Sequence, residues 1–144
     1  MEEATAWVDD SYDGVSGAWL RHTWHLDRRE LAAAREWLEV AVAKVEHWPP
    51  PARGLVHASA AYFYAMEEDN REQARRHWEL AQGHGFLAPE GKALAEAAVA
   101  YVNGEKDKAK QAAAKGRELA GKQAGSAGEA MREYFALIEA RAGN

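Results

Sequence analysis

The stretch Ala74-Arg75-Arg76-His77-Trp78-Glu79-Leu80-Ala81 decides how this chain folds. Small residues stand at 74 and 81, a tryptophan follows the first by four, and Arg75, Arg76 and Glu79 fill the positions between. On a helix, residues 74, 78 and 81 share one face. The segment therefore predicts a helix whose backbone approaches a neighbour closely and whose indole fills the remaining space. Two other segments set out the same way, Ala33, Trp37 and Val40, and Ala109, Ala113 and Gly116. Their leading alanines lie 41 and 35 residues apart along the chain, a spacing in the range of helical-hairpin repeats.

Outward from these segments the punctuation is sparse. Proline occurs only as Pro49-Pro50-Pro51 and Pro89, and alanine, leucine, glutamate and arginine dominate elsewhere, so an all-α chain is expected. Asp27 to Glu30, Asn70 to Gln73 and Ser126 to Glu129 each place an acceptor three residues before Glu or Gln, the spacing of a capping box and hence three helix starts. The further helices expected are Val15 to Leu26, Ala52 to Met66, Pro89 to Val102 and Glu105 to Ala120. Short joins at Asp27, Glu68-Asp69-Asn70 and Asn103-Gly104 make the order hairpin, hairpin, hairpin, final helix. Residues 1–14 mix Trp7 and Tyr12 with five carboxylates and are expected to form an acidic arm, leaving 15–144 as a single helical domain.

The pattern Ala74-x-x-x-Trp78-x-x-Ala81 resembles the tetratricopeptide repeat (TPR) family, whose helix-turn-helix unit of about 34 residues carries small, aromatic and small residues at that spacing in its second helix. Trp24 and Tyr64, nine and ten residues before Ala33 and Ala74, and Gly104 at the third turn sit where the family places its first-helix aromatic and its turn glycine. The resemblance covers about residues 14 to 122. It departs from the family in its long first spacing, its late prolines and Ala113 in place of an aromatic, so a generic antiparallel bundle stays open as the alternative. What the resemblance implies is a short right-handed solenoid of stacked hairpins. Ser126 to Arg141, with Met131, Tyr134, Phe135 and Ile138 on one stripe, would be the C-terminal helix that caps its last apolar face.

With 144 residues, 47% of them hydrophobic, the chain makes one domain with a core. It has no cysteine, which excludes thiol catalysis, thiolate metal sites and disulfides. The start lacks a basic, apolar leader and no run approaches about 18 apolar residues, so a cytoplasmic protein that does not engage membranes is expected. Residues 1–87 carry 15 acidic and 9 basic side chains, and residues 88–144 carry 8 and 9. With a pI near 5.7 and carboxylates interleaved among the lysines from Lys106 to Lys122, no nucleic-acid partner is expected.

His22 and His25 share a helix face and would supply half of a metal site, with Asp27, Glu30 and His57 as nearby candidates; polar packing is the plainer explanation. His77 and His84 are taken as surface and loop histidines. Ser11, Ser16, Ser59 and Ser126 lack a nucleophile-elbow context, and Gly83-His84-Gly85 and Gly121 to Gly128 lack a phosphate-loop lysine. Glu67-Glu68-Asp69 is taken as a wet hairpin tip. Trp19, Trp24, Trp37 and Trp78 are expected in the core, and Trp48 beside the proline run either packs locally or anchors a partner.

These readings point away from an enzyme and from any cofactor. In a TPR-like stack the first helices line a groove, here through Val15, Ala18, His22 and His25, then Val56, Ser59, Phe63 and Met66, then Leu94, Ala98 and Tyr101. A protein or peptide partner is expected there, on His22, His25, Phe63, Met66 and Tyr101; the competing possibility is that Phe63 and Met66 are simply core. Two other functions stay open: a small metal- or ligand-binding bundle using His22, His25 and His57, and a homodimer or larger homo-oligomer.

Overall fold

A computed structural model describes residues 12–46, 50–83, 89–122 and 126–143. Within them the elements are α1 (Tyr12–Asp27), α2 (Leu31–Val45), α3 (Pro50–Met66), α4 (Arg71–Gly83), α5 (Pro89–Val102), α6 (Lys106–Ala120) and α7 (Ser126–Gly143), with no strand among the described residues. The first helix starts three residues before the expected Val15, inside the segment assigned to the acidic arm. Residues 1–11 with Trp7, and also Trp48, His84 and the side chain of Ser126, lie outside the described residues.

The three short joins share a backbone device. Arg29, Asp69 and Gly104 have φ of 62°, 50° and 84°, and each stands two residues before the next helix. In the first join the amides of Arg29 and Glu30 donate to the carbonyls of Leu26 and His25; in the third, those of Gly104 and Glu105 donate to Tyr101 and Ala100. That pair of bonds is the Schellman motif, which satisfies the last carbonyls of a helix through one left-handed residue. In the second join the amide of Asn70 reaches one residue further back, to Tyr64, at 2.8 Å. Because the motif consumes residues 28–30, Asp27 ends α1 and cannot cap α2. The expected capping box there is corrected: α2 begins at Leu31 after Glu30, whose side chain makes no capping bond. At the second join the cap forms, with Oδ1 of Asn70 accepting from the amide of Gln73 at 3.1 Å.

Counted from these turns, the second helices align. Ala34, Ala74 and Ala109 each donate to the carbonyl of the residue that precedes their helix, Glu30, Asn70 and Glu105, at 2.9, 3.0 and 2.9 Å. The trio on α2 is therefore Ala34, Leu38 and Ala41, all fully buried, one residue later than Ala33, Trp37 and Val40. On α4 it is Ala74, Trp78 and Ala81, and on α6 it is Ala109, Ala113 and Gly116, as expected. Trp37 is buried elsewhere, in a cluster with Ala18, Ala41, Val45 and Val56. Trp24 leaves the core altogether. It is 50% exposed beside Leu20 at 56%, with the Arg28 guanidinium 4.0 Å above its ring, because no other described helix covers that outer face of α1.

Each helix of the pairs α1/α2, α3/α4 and α5/α6 folds back on its partner; α3 packs against α5, and α7 lies on α6 and α5. Trp19 Nε1 donates to Ser59 Oγ at 2.8 Å and the His22 ring meets Phe63 edge-on at 5.5 Å, tying α1 to α3. The main core runs through α3 and α5, whose inward positions are largely alanine. Such small side chains let helix axes approach closely, so packing is set by backbone shape more than by large residues.

Of the described glycines, Gly116 is the one most closely approached by another side chain, at the seat of α7. Ala109, Ala113, Gly116 and Ala120 form a buried small-residue stripe on α6; Phe135, 0% exposed, lies on it at Gly116, and Ile138, also 0% exposed, belongs to the same core. A Cβ at position 116 would overlap the Phe135 ring. This explains the missing aromatic at Ala113: α7 supplies the ring from outside. Gly116→Ala is expected to lower unfolding free energy in urea by about 1–3 kcal/mol through overpacking, with Phe135→Leu in the same chain restoring part of it. Helix propensity alone would raise stability by about 1 kcal/mol, so a neutral or stabilised alanine variant would contradict the contact.

Candidate interaction surface

The C-terminal ends of α1 and α3 face the middle of α7. The Tyr134 hydroxyl donates to Oδ1 of Asp27 on α1, the Tyr134 ring stands edge-on to Tyr62 of α3 at 5.4 Å, and Arg141 Nη1 donates to the Met66 carbonyl at 2.8 Å. The last bond places a cation at the negative end of α3. Arg29 in the first turn makes a two-pronged pair with Glu67, at 2.9 and 2.6 Å, joining the ends of α1 and α3. What remains open between α1 and α7 is a cleft of about 590 Å³ lined by Leu26, Asp27, Arg29, Glu133, Tyr134, Leu137 and Arg141.

Among the described side chains, none of those expected to line an open groove reaches this cleft; that of Val15 lies outside them. Phe63 is 1% exposed and Met66 6%, so both are core side chains beneath the first-helix face, and Tyr101 is half-buried against the same core. His22 and His25 are also buried. His22 Nδ1 donates to the Ala34 carbonyl at 2.8 Å, bridging α1 and α2. His25 Nδ1 lies 3.2 Å from Glu30 Oε1, and its Nε2 is buried without a partner. The cleft is lined instead by their neighbours Leu26 and Asp27 and by α7. The sequence signal for it was the α7 stripe, whose Tyr134 serves the cleft while Phe135 and Ile138 serve the core.

His77, taken as a surface histidine, is 6% exposed. Its Nδ1 lies 3.0 Å from Nδ1 of His57, and its ring stacks between His57 and Tyr64, with centroids 5.2 and 5.5 Å away. The two imidazoles lock α3 to α4 through a bond that needs one nitrogen protonated and the other bare. Among the described residues no three His, Asp or Glu side chains converge as a metal site. Grooves of about 550 and 610 Å³ on the outer faces mix charges, Arg71, Arg75 and Arg76 with Glu72 and Glu79 in one, Lys92, Lys108 and Lys115 with Glu96 in the other. No helix among the described residues is long and apolar enough to cross a membrane. No family model matches the chain, and neither a curated protein nor a solved structure is detectably similar to it.

Burial, with His57 and Arg76 nearby, lowers the His77 pKa to about 4, and burial pulls His22 down despite its bond to Ala34. Both bind a proton more readily in the unfolded chain, where an imidazole titrates near 6.5. Their contribution is therefore complete above that pH and lost as pH falls from about 6.5 toward 4. The urea midpoint is expected to be flat above pH ~7 and to fall in that window, less steeply in His77→Gln. An unchanged midpoint down to pH ~4.5, or an identical slope in the variant, would contradict this.

Proposed function

We propose that this chain is a non-enzymatic protein-interaction module: a short, right-handed, TPR-like stack of three hairpins capped by α7, which binds a helix or peptide along the ends of its first helices. A cytoplasmic setting and the lack of a nucleic-acid or membrane partner belong to the same proposal. The recurrence of turn and trio at Ala34, Ala74 and Ala109 supports the stack. The observation that carries the function is the cleft between α1 and α7, with apolar Leu26 and Leu137 flanked by Asp27, Arg29 and Arg141. An apolar floor with charged margins suits an amphipathic helix. The sequence holds neither a nucleophile-elbow serine nor a phosphate-loop lysine.

Affinity capture from native extract, quantified by mass spectrometry, tests this with two variants. Leu137→Glu charges the cleft, whereas Leu80→Glu charges α4 at a residue already 37% exposed and outside the cleft lining. Partners held by the unaltered chain are expected to persist with Leu80→Glu and to be lost with Leu137→Glu, both variants keeping a cooperative melt. The same captured set from all three proteins would contradict the cleft.

A second reading, self-association, is favoured by Leu20 and Trp24, exposed one turn apart on the outer face of α1. If they meet a second copy, Trp24→Glu turns a concentration-dependent dimer into a monomer in sedimentation. A monomer at every concentration before substitution removes this reading.

A further inference from the structure

One groove departs from the charge balance of its neighbours. Asp69, Glu72 and Glu79 match Arg71, Arg75 and Arg76 beside α4, and Asp27 and Glu133 match Arg29 and Arg141 in the cleft. Between α5 and α6, the groove of about 610 Å³ sets Lys92, Lys108 and Lys115 against one carboxylate, Glu96, over a floor that includes Ala112 and Leu119. Lys108 lies 3.7 Å from Glu105. Lys92 and Lys115 are exposed and make no ion pair among the described residues. A cationic groove therefore stands on a chain whose net charge is −5.

The complementary pattern is in the sequence. Residues 1–11 carry Glu2, Glu3, Asp9 and Asp10, no lysine or arginine, and the apolar run Ala6-Trp7-Val8 between the two acidic pairs. An apolar centre flanked by carboxylates matches an apolar floor rimmed by lysines. Exposed ion pairs contribute little singly, so the indole against Leu119 supplies the larger part of such a contact and the charges set its register. From this we infer that the groove between α5 and α6 binds residues 1–11 of a second copy of the chain. The chain's own segment falls short. Trp7 stands five residues before Tyr12, where α1 begins, and so reaches at most about 18 Å from it. α1 touches α3 through Trp19 and Ser59, α3 packs against α5, and α5 against α6. At about 8–10 Å per helix, the axis of α5 alone is about 16–20 Å from α1, and the groove lies beyond it. A second copy has no such limit. This contact goes beyond the cleft, with which the groove shares no residue, and it does not use the exposed face of Leu20 and Trp24.

Sedimentation of the full chain at about 0.05 M and about 0.5 M salt tests it. The unaltered chain is expected to form complexes of two or more copies at low salt and to dissociate at high salt. Two charge reversals, Glu2→Lys/Glu3→Lys/Asp9→Lys/Asp10→Lys in the segment and Lys92→Glu/Lys115→Glu in the groove, are each expected to give a monomer. An equimolar mixture of the two is expected to associate again, because each segment then meets a groove of opposite sign. A chain that is monomeric at every concentration and salt, a complex that survives either reversal, or a mixture that stays monomeric overturns the inference. A second measurement needs only the unaltered protein, held below the concentration at which it associates. A fluorescent peptide of residues 1–11 is expected to raise its anisotropy on binding at low salt, to bind about tenfold more weakly at high salt, and to lose binding when it carries Trp7→Ser. No binding of the peptide, or equal binding with and without the indole, overturns the inference even if a reversed chain fails to fold. Either failure leaves the cleft reading standing, since none of the substituted residues lines the cleft.

Discussion

The ring of Phe135 rests where a side chain at residue 116 would begin, and this contact sets the position of the last helix. Glycine there lets α7 lie against α6 with no intervening methyl group, and the flanking Ala113 and Ala120 keep the surface flat. Once the ring is seated, Ile138 is buried and Tyr134 turns toward the ends of α1 and α3. The cleft is therefore a consequence of packing: its far wall is a helix whose distance from α1 is set by one missing Cβ.

A second constraint comes from the turns. Arg29, Asp69 and Gly104 all take the left-handed conformation, though only one of them is the glycine for which it is free of strain. The arginine and the aspartate hold it because the preceding helices end in carbonyls that need the amides which follow. The resulting reversals place the C-terminal ends of α1 and α3 side by side, where Arg29 and Glu67 pair and where Tyr134 and Arg141 arrive from α7. A pair such as Arg29 and Glu67 contributes little while exposed; here the carboxylate side chain is only 3% exposed, and the fork geometry adds direction to the bond.

Helix content and the order of the hairpins were legible because proline is confined to two places and small residues recur at helical spacing. The register on α2 was not. Alanines at 32, 33 and 34 offer equivalent starts, and Trp37 drew the pattern one residue early, although the burial of Leu38 decides it. The cap at Asp27 failed for a related reason, since an acceptor three residues before a glutamate looks the same whether it opens one helix or ends another. His77 was misplaced because its flanking arginines mark a surface helix, and nothing in the local sequence announces a His57 partner 20 residues earlier. The cleft was half legible: the α7 stripe stood out, but which of its residues meet the core and which meet α1 depends on the glycine notch that rotates the helix.

The Phe135 contact with Gly116 is open to direct observation in solution. In a nuclear magnetic resonance spectrum of the unaltered chain, the Gly116 α-protons should lie upfield of ordinary helical glycine and show Overhauser contacts to the Phe135 ring, with further contacts between the rings of Tyr134 and Tyr62. Gly116 α-protons at ordinary positions, without contacts to Phe135, would mean that α7 does not rest on α6 in this way and that the cleft loses its far wall.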